Sequence, residues 1–181
     1  FKREAPIYTE VLNSLMVPAY CEVSSSFINS SEIVFMSNFL SVIDNPALDC
    51  ELLSVMMSPV FSFSADDLAS IKSDSRYDSL YKSVLLKAQK GNEKCERFLK
   101  ELSYYRDICV TTDVSVLLDI IFERTGYLSI VSALTNSDIA LNNLLLLKQY
   151  AKEFESGNSK GLSRFVTYLN RLRLSKKDVK A

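Results

Sequence analysis

Residues 32–43 read EIVFMSNFLSVI, and this stretch decides the fold class. Wound as a helix of 3.6 residues per turn, its apolar side chains cover most of the circumference, which is typical of a helix buried on nearly every side. Asn29 precedes it as a candidate N-cap, and Glu32 follows three residues later, as in a capping box. The sequence Asp44-Asn45-Pro46 ends the helix, because proline disfavours helical geometry in the residue before it. We therefore predict a buried central helix.

The rest of the chain has the composition of an all-α protein. Glycine and proline number 4 each among 181 residues, too few for the many turns of a sandwich or barrel. We predict a single helical domain covering residues 1–181, with at most one short strand, at residues 19–23. Apolar periodicity and helix-ending residues predict further helices at residues 5–16, 48–57, 80–90, 93–109, 138–154 and 159–174, one after Ser64 and one between Asp113 and Gly126.

The sequence holds no complete catalytic or metal site. Histidine is absent, which removes serine–histidine and cysteine–histidine pairs and histidine-based metal sites. Gly157 and Gly161 flank Lys160, but their spacing and order are wrong for a phosphate-binding loop. We interpret the carboxylates at residues 66–67 as helix caps and those at 153 and 155 as a solvated helix end. No catalytic residue, cofactor site or metal site is expected in this chain.

Charge, cysteines and hydropathy point to a bacterial cytoplasmic location. The net charge is −1, so no global field favours nucleic acid or membrane. The longest apolar run, residues 144–147, is far too short to cross a bilayer, and no membrane partner is expected. The cysteines lack the spacing of a zinc knuckle, and we expect them to be reduced, buried thiols: Cys21, Cys50, Cys95 and Cys109. The chain starts at Phe1 and ends in charged residues, so we expect both ends to be boundaries within a larger protein.

The C-terminal helix is the first candidate for binding nucleic acid. From residue 160 onward the chain holds seven basic residues and one acidic residue. Lys160, Arg164 and Arg171 fall at nearly one angle on the helix, opposite its apolar face. Such a local excess of positive charge is what contact with DNA phosphates requires. The alternative is that these side chains only solvate the outer face of an amphipathic helix.

The turn at residues 58–64 is the second candidate. A tight turn that opens a helix directs free backbone amides outward, and amides of this kind bind phosphate. Ser62, Phe63 and Ser64 are therefore candidate DNA contacts. The alternative is a plain corner between helices, with Phe61 or Phe63 in the core. The adjacent Tyr104 and Tyr105 are weaker candidates for base stacking, because a helix usually buries one of two neighbouring aromatic residues.

Several segments together resemble AddA-type DNA helicase–nucleases of the UvrD-like superfamily. The resemblance runs from about residue 17 to 174. It is carried by the order of these stretches: VPAY at 17–20, FINSSEI at 27–33, LSVIDNP at 40–46, SPVF at 58–61, IFERTGY at 121–127 and KGLSRF at 160–165. Each is weakly specific alone, but their order and spacing together are specific.

The resemblance implies an accessory 2B domain, inserted in the second motor domain between helicase motifs IV and V. The parent would be an ATP-dependent helicase with a nuclease domain in double-strand-break repair, with ATP and Mg bound elsewhere. Its partners would be duplex or forked DNA, the motor domains of the same chain and an AddB-like subunit. The family favours glycine where this chain has Ser62, so a side chain here lies where backbone would approach DNA. The competing hypothesis is a helical protein–protein interaction module without nucleic-acid contact.

Overall fold

The computed structural model describes residues 27–73, 78–134, 137–157 and 160–174, and all regular elements within them are helices. The all-α prediction is therefore confirmed for these residues. The predicted helix at 5–16 and the predicted strand at 19–23 lie outside them. A 3-10 helix, Phe27–Asn29, is followed by α1 Ser31–Asp44, α2 Asp49–Met56, α3 Ala65–Ser73, α4 Leu80–Gln89, α5 Glu93–Ile108, α6 Val114–Thr125, α7 Tyr127–Ser132, α8 Ser137–Ser156 and α9 Leu162–Leu174.

Helix α1 is the centre of the domain, as its sequence predicts. It packs against α2, α5, α8, α9 and the 3-10 helix. Ile33, Met36, Phe39 and Leu40 have no solvent-exposed surface. Because these side chains point in several directions around the helix axis, contact on every side is needed to bury them.

The start of α1 differs from the prediction. Its N-cap residue is Ser30 rather than Asn29, and the Ser30 hydroxyl donates a hydrogen bond to the carbonyl of Phe27 (2.9 Å) instead of capping the helix. Glu32 does not close a capping box with Asn29 in the hydrogen bonds of the described residues. Its carboxylate, 7% exposed, instead accepts a 2.6 Å hydrogen bond from Asn143 on α8. Tertiary packing thus replaces the local cap.

Two other helix boundaries agree with the sequence. The Ser64 amide donates to Asp67 (2.9 Å) while the Asp67 amide donates to the Ser64 hydroxyl (3.1 Å), which is a reciprocal capping box at the start of α3. Gly126 ends α6 with φ of 62°, the left-handed conformation that glycine adopts without steric cost. Short-range signals of this kind depend only on neighbouring residues, which is why they could be predicted.

The cap of α6 is a correction. Asp113 occupies the N-cap position, but its side chain makes no capping hydrogen bond. The half-buried Glu155 at the end of α8 accepts hydrogen bonds from the amides of Val114 and Ser115 instead. Our interpretation of Glu155 as part of a solvated helix end was therefore wrong. Its negative charge lies at the positive end of the α6 dipole and ties α8 to α6.

Within the described ranges, no helix combines the length and the apolar content that crossing a membrane would require.

Candidate nucleic-acid interface

The amides of the turn at residues 58–64 are already engaged within the chain. The Ser62 amide donates to the carbonyl of Ser58 (2.7 Å), and the Phe63 amide donates to that of Met56 (2.9 Å). The Ser64 amide donates to the Asp67 carboxylate (2.9 Å). The expectation that these three amides are free to hold a phosphate is thus contradicted, because the turn and the capping box use all of them.

A carboxylate occupies the place where a phosphate was expected. The hydrogen bond from Lys94, joined by that from the Ser64 amide, lowers the pKa of Asp67 to about 2, so it stays charged at neutral pH. Lys94 also donates to the carbonyl of Ser62 (2.7 Å), and its ammonium lies 4.7 Å from the centre of the Phe63 ring. A phosphate approaching the start of α3 would therefore meet negative charge before it met a donor.

Ser62 adopts a backbone conformation that usually requires glycine. Its φ is 56°, a left-handed value that no other non-glycine residue shares in the described part of the chain. This geometry gives a physical reason for the glycine that the resembling family favours at this position. The Ser62 side chain is exposed, and its hydroxyl donates to the carbonyl of Pro59 (2.9 Å).

The aromatic residues of the turn point inward. Phe63 is 4% exposed and packs edge-to-face with Phe98 of α5, with ring centres 5.9 Å apart. Phe61 is half-buried and packs edge-to-face with Phe98 at 4.9 Å. The corner between α2 and α3 is thus anchored in the core, as the alternative interpretation of this turn states. Phe63 offers little surface to a DNA backbone.

The cationic stripe of α9 faces solvent. Lys160 precedes the helix, Arg164 and Arg171 lie on it, and all three residues are exposed. On the opposite face, Leu162, Phe165, Val166 and Leu169 are buried, and α9 packs against α1 and the 3-10 helix.

No neighbouring carboxylate neutralises the stripe. Helix α9 contains Arg164, Arg171 and Arg173 but no acidic residue. Among the described residues, no aspartate or glutamate forms an ion pair with Lys160, Arg164 or Arg171. The stripe is therefore a surface of uncompensated positive charge, in contrast to the turn at residues 58–64.

The tyrosine pair of α5 divides as expected. Tyr105 is fully buried, and burial raises the pKa of its hydroxyl to about 12. Tyr104 is 37% exposed, but the guanidinium of Arg124 lies over its ring at 4.2 Å. A base could stack on Tyr104 only after Arg124 moved.

Lys94 is the functional candidate that sequence reasoning missed. It joins Asp67 across 27 residues, and no local pattern indicates that pairing. Within the described ranges, no three histidine, cysteine, aspartate or glutamate side chains lie close enough together to hold a metal ion. Cys95 is buried and Cys109 is half-buried, but Cys50 is exposed, contrary to prediction, and Cys21 lies outside the described residues.

Comparison with known proteins gives no matching family model, but many similar sequences. The chain is 31% identical over 180 residues to the AddA protein, an ATP-dependent helicase/nuclease, of Thermoanaerobacter sp. (strain X514), covering 98% of this chain and 15% of that protein. It is 33% identical over 166 residues to the protein of the same name from Lactobacillus acidophilus, covering 90% of this chain and 14% of the relative. With the Clostridium novyi protein the identity is 29% over 184 residues. The chain thus spans about 15% of the length of these curated relatives.

Proposed function

Because this chain belongs to the AddA family of ATP-dependent helicase/nucleases, of which it matches one segment, we propose that it is an accessory domain that positions duplex DNA. The observation that carries the proposal is the uncompensated cationic stripe of α9, formed by Lys160, Arg164 and Arg171. Guanidinium and ammonium groups bind DNA phosphates without reading sequence. Such contacts suit a domain that holds a duplex while other domains act on it.

The larger protein sets the context of the proposal. Its relatives are named for ATP-dependent helicase and nuclease activity, so ATP and Mg would bind in domains outside this chain. In this proposal the domain lies between motifs IV and V of the second motor domain, in a bacterial cytoplasmic enzyme of double-strand-break repair. Its partners would then be those motor domains and an AddB-like subunit.

Duplex positioning predicts a defined loss when the stripe is reversed. Arg164→Glu with Arg171→Glu should weaken binding of a labelled duplex with a single-stranded tail, and should lower the dependence of log affinity on log salt by about two units. A matched control is Lys100→Glu with Lys152→Glu, which makes the same charge change at exposed positions on α5 and α8. Equal losses in both pairs, measured by fluorescence anisotropy, would remove the stripe from the proposal.

A protein-facing role is the second candidate, and exposed apolar side chains favour it. Ile139 and Leu145 on α8 are 58% and 59% exposed. Contact with the motor domains or with an AddB-like subunit would bury them. In that case Leu145→Glu would abolish association with the remaining domains, and the α9 reversal would leave it unchanged, as measured by analytical ultracentrifugation.

A further inference from the structure

A half-open pocket of about 330 Å³ lies beside the turn at residues 58–64. The turn forms one side, and helix α5 and the end of α6 form the rest. Its apolar wall contains Phe61, Phe63 and Phe98, and its polar rim contains Lys94, Arg97 and Arg124. The volume is at the lower end of the range for small-molecule sites, so it admits one small group and excludes a duplex.

Arg97 is the cation of the rim that remains available to a ligand. Lys94 is paired with Asp67 at 2.7 Å, and Arg124 is paired with Glu101 at 2.7 Å. Arg97 is exposed, its Nε donates to the carbonyl of Glu93 in its own helix (3.4 Å), and no carboxylate of the described residues forms an ion pair with it. An anion at the rim would therefore find Arg97 without having to displace another carboxylate.

Phe61 is the aromatic surface of the pocket that a ligand can reach. It is half-buried, whereas Phe63 and Phe98 are almost fully buried and Lys94 lies over the Phe63 ring. An aromatic ring at the wall of a cationic groove is the arrangement with which proteins stack the bases of single-stranded nucleic acid.

The wall also contains an unused polar group. Tyr105 lines the pocket, and its buried hydroxyl makes no hydrogen bond. The neighbouring Arg124 influences the pKa of this hydroxyl without making a hydrogen bond of normal geometry to it. Buried polar groups normally have partners, so this orphan hydroxyl is consistent with a ligand that supplies one when Arg124 shifts.

We propose that this pocket binds one unpaired nucleotide of a DNA strand, with its base against Phe61 and its phosphate near Arg97. A nucleotide joins a planar apolar body to an anion, which matches the aromatic wall and the cationic rim. The proposal rests on the DNA-positioning function and deepens it by adding a single-strand contact that is separate from the duplex contact of α9. An acidic peptide with an aromatic residue is the competing occupant.

The test compares two labelled probes with the 181-residue chain: a decamer of thymidylate and a decamer of the same length without bases. The thymidylate strand should bind more tightly than the abasic strand. Phe61→Leu, which keeps apolar volume but removes the aromatic face, should weaken the thymidylate strand roughly fivefold or more and leave the abasic strand unchanged. Arg97→Glu should weaken both strands, whereas Lys100→Glu, one turn along α5, should weaken neither by a comparable factor.

Other outcomes overturn the proposal. Equal affinity for the two strands would show phosphate binding without a base site. No binding of either strand at low salt, or capture of only a glutamate-rich peptide containing phenylalanine, would assign the pocket to another ligand. Urea unfolding of Phe61→Leu verifies that the variant is folded, and Arg97→Glu provides an exposed substitution that does not disturb the core. Reversal of Arg164 and Arg171 should leave the thymidylate strand bound, so failure of the duplex contact and failure of the pocket are distinguishable.

Discussion

Asn143→Leu should destabilise the domain by about 1.5–3 kcal/mol, the worth of a hydrogen bond to a charged group. The Asn143 amide donates to the Glu32 carboxylate at 2.6 Å and joins α8 to α1 across 111 residues of sequence. Leucine has a similar volume, so the cavity term is small. The larger cost of a wholly unpaired buried charge does not apply, because the Ser31 hydroxyl still donates to Glu32 (3.2 Å). For a protein of this size, the melting temperature should fall by about 3–12 °C.

The loss should depend on pH with a definite sign. Burial alone would raise the pKa of Glu32, but hydrogen bonds from Asn143, its own amide, Ser30 and Ser31 lower it below its usual value. The native carboxylate therefore contributes stability above its unfolded-state pKa, and this is lost as the pH falls through the folded-state pKa. Without Asn143, burial raises the pKa of Glu32 and protonation becomes favourable. The deficit of Asn143→Leu should thus shrink between pH 7 and about pH 4.

Urea unfolding followed by circular dichroism measures both effects. Asn142→Leu is the matched control, because Asn142 is exposed and the same chemical change there should stay within about 0.5 kcal/mol. A double-mutant cycle with Glu32→Gln should give a coupling energy of at least about 1 kcal/mol. A loss below about 0.5 kcal/mol in Asn143→Leu, or a deficit that does not change with pH, would refute the reasoning.

Two further predictions concern stability. Glu155→Ala should cost about 1–2 kcal/mol, because it removes the cap of α6, whereas Asp113→Ala should cost less than about 0.5 kcal/mol, and the reverse order in urea unfolding would contradict the remote cap. Tyr105→Phe should leave the free energy of unfolding unchanged or raise it by up to about 1 kcal/mol, because it removes a buried hydroxyl without a partner, and a loss above about 1 kcal/mol in a thermal melt would show that the hydroxyl is bonded.

Features that depend on neighbouring residues could be predicted from the sequence. The apolar circumference of residues 32–43 predicted the burial of α1, and the capping box of Ser64 and Asp67 predicted the start of α3. Gly126 marked the end of α6 for the same reason, since one left-handed residue is a local requirement. Burial and caps of this kind follow from periodicity and short spacing.

Features that depend on tertiary packing could not be predicted. Glu155 and Val114 are separated by 41 residues, and Lys94 and Asp67 by 27, so their meeting follows from how helices pack rather than from any spacing. The engaged amides of the turn show the same limit. The sequence predicted the tight turn, but the acceptor at the carbonyl of Met56 became evident only from the folded backbone.

Duplex positioning by α9 is best tested through the salt dependence of DNA binding. Fluorescence anisotropy of a labelled duplex with a single-stranded tail, titrated with the 181-residue chain at several salt concentrations, gives the number of phosphate contacts. If Lys160, Arg164 and Arg171 each neutralise one phosphate, log affinity should fall with log salt with a slope of about −2.7, and their joint replacement by glutamate should bring the slope close to zero. Binding whose slope is unchanged by those substitutions, or no binding at the lowest salt, would contradict duplex positioning by α9.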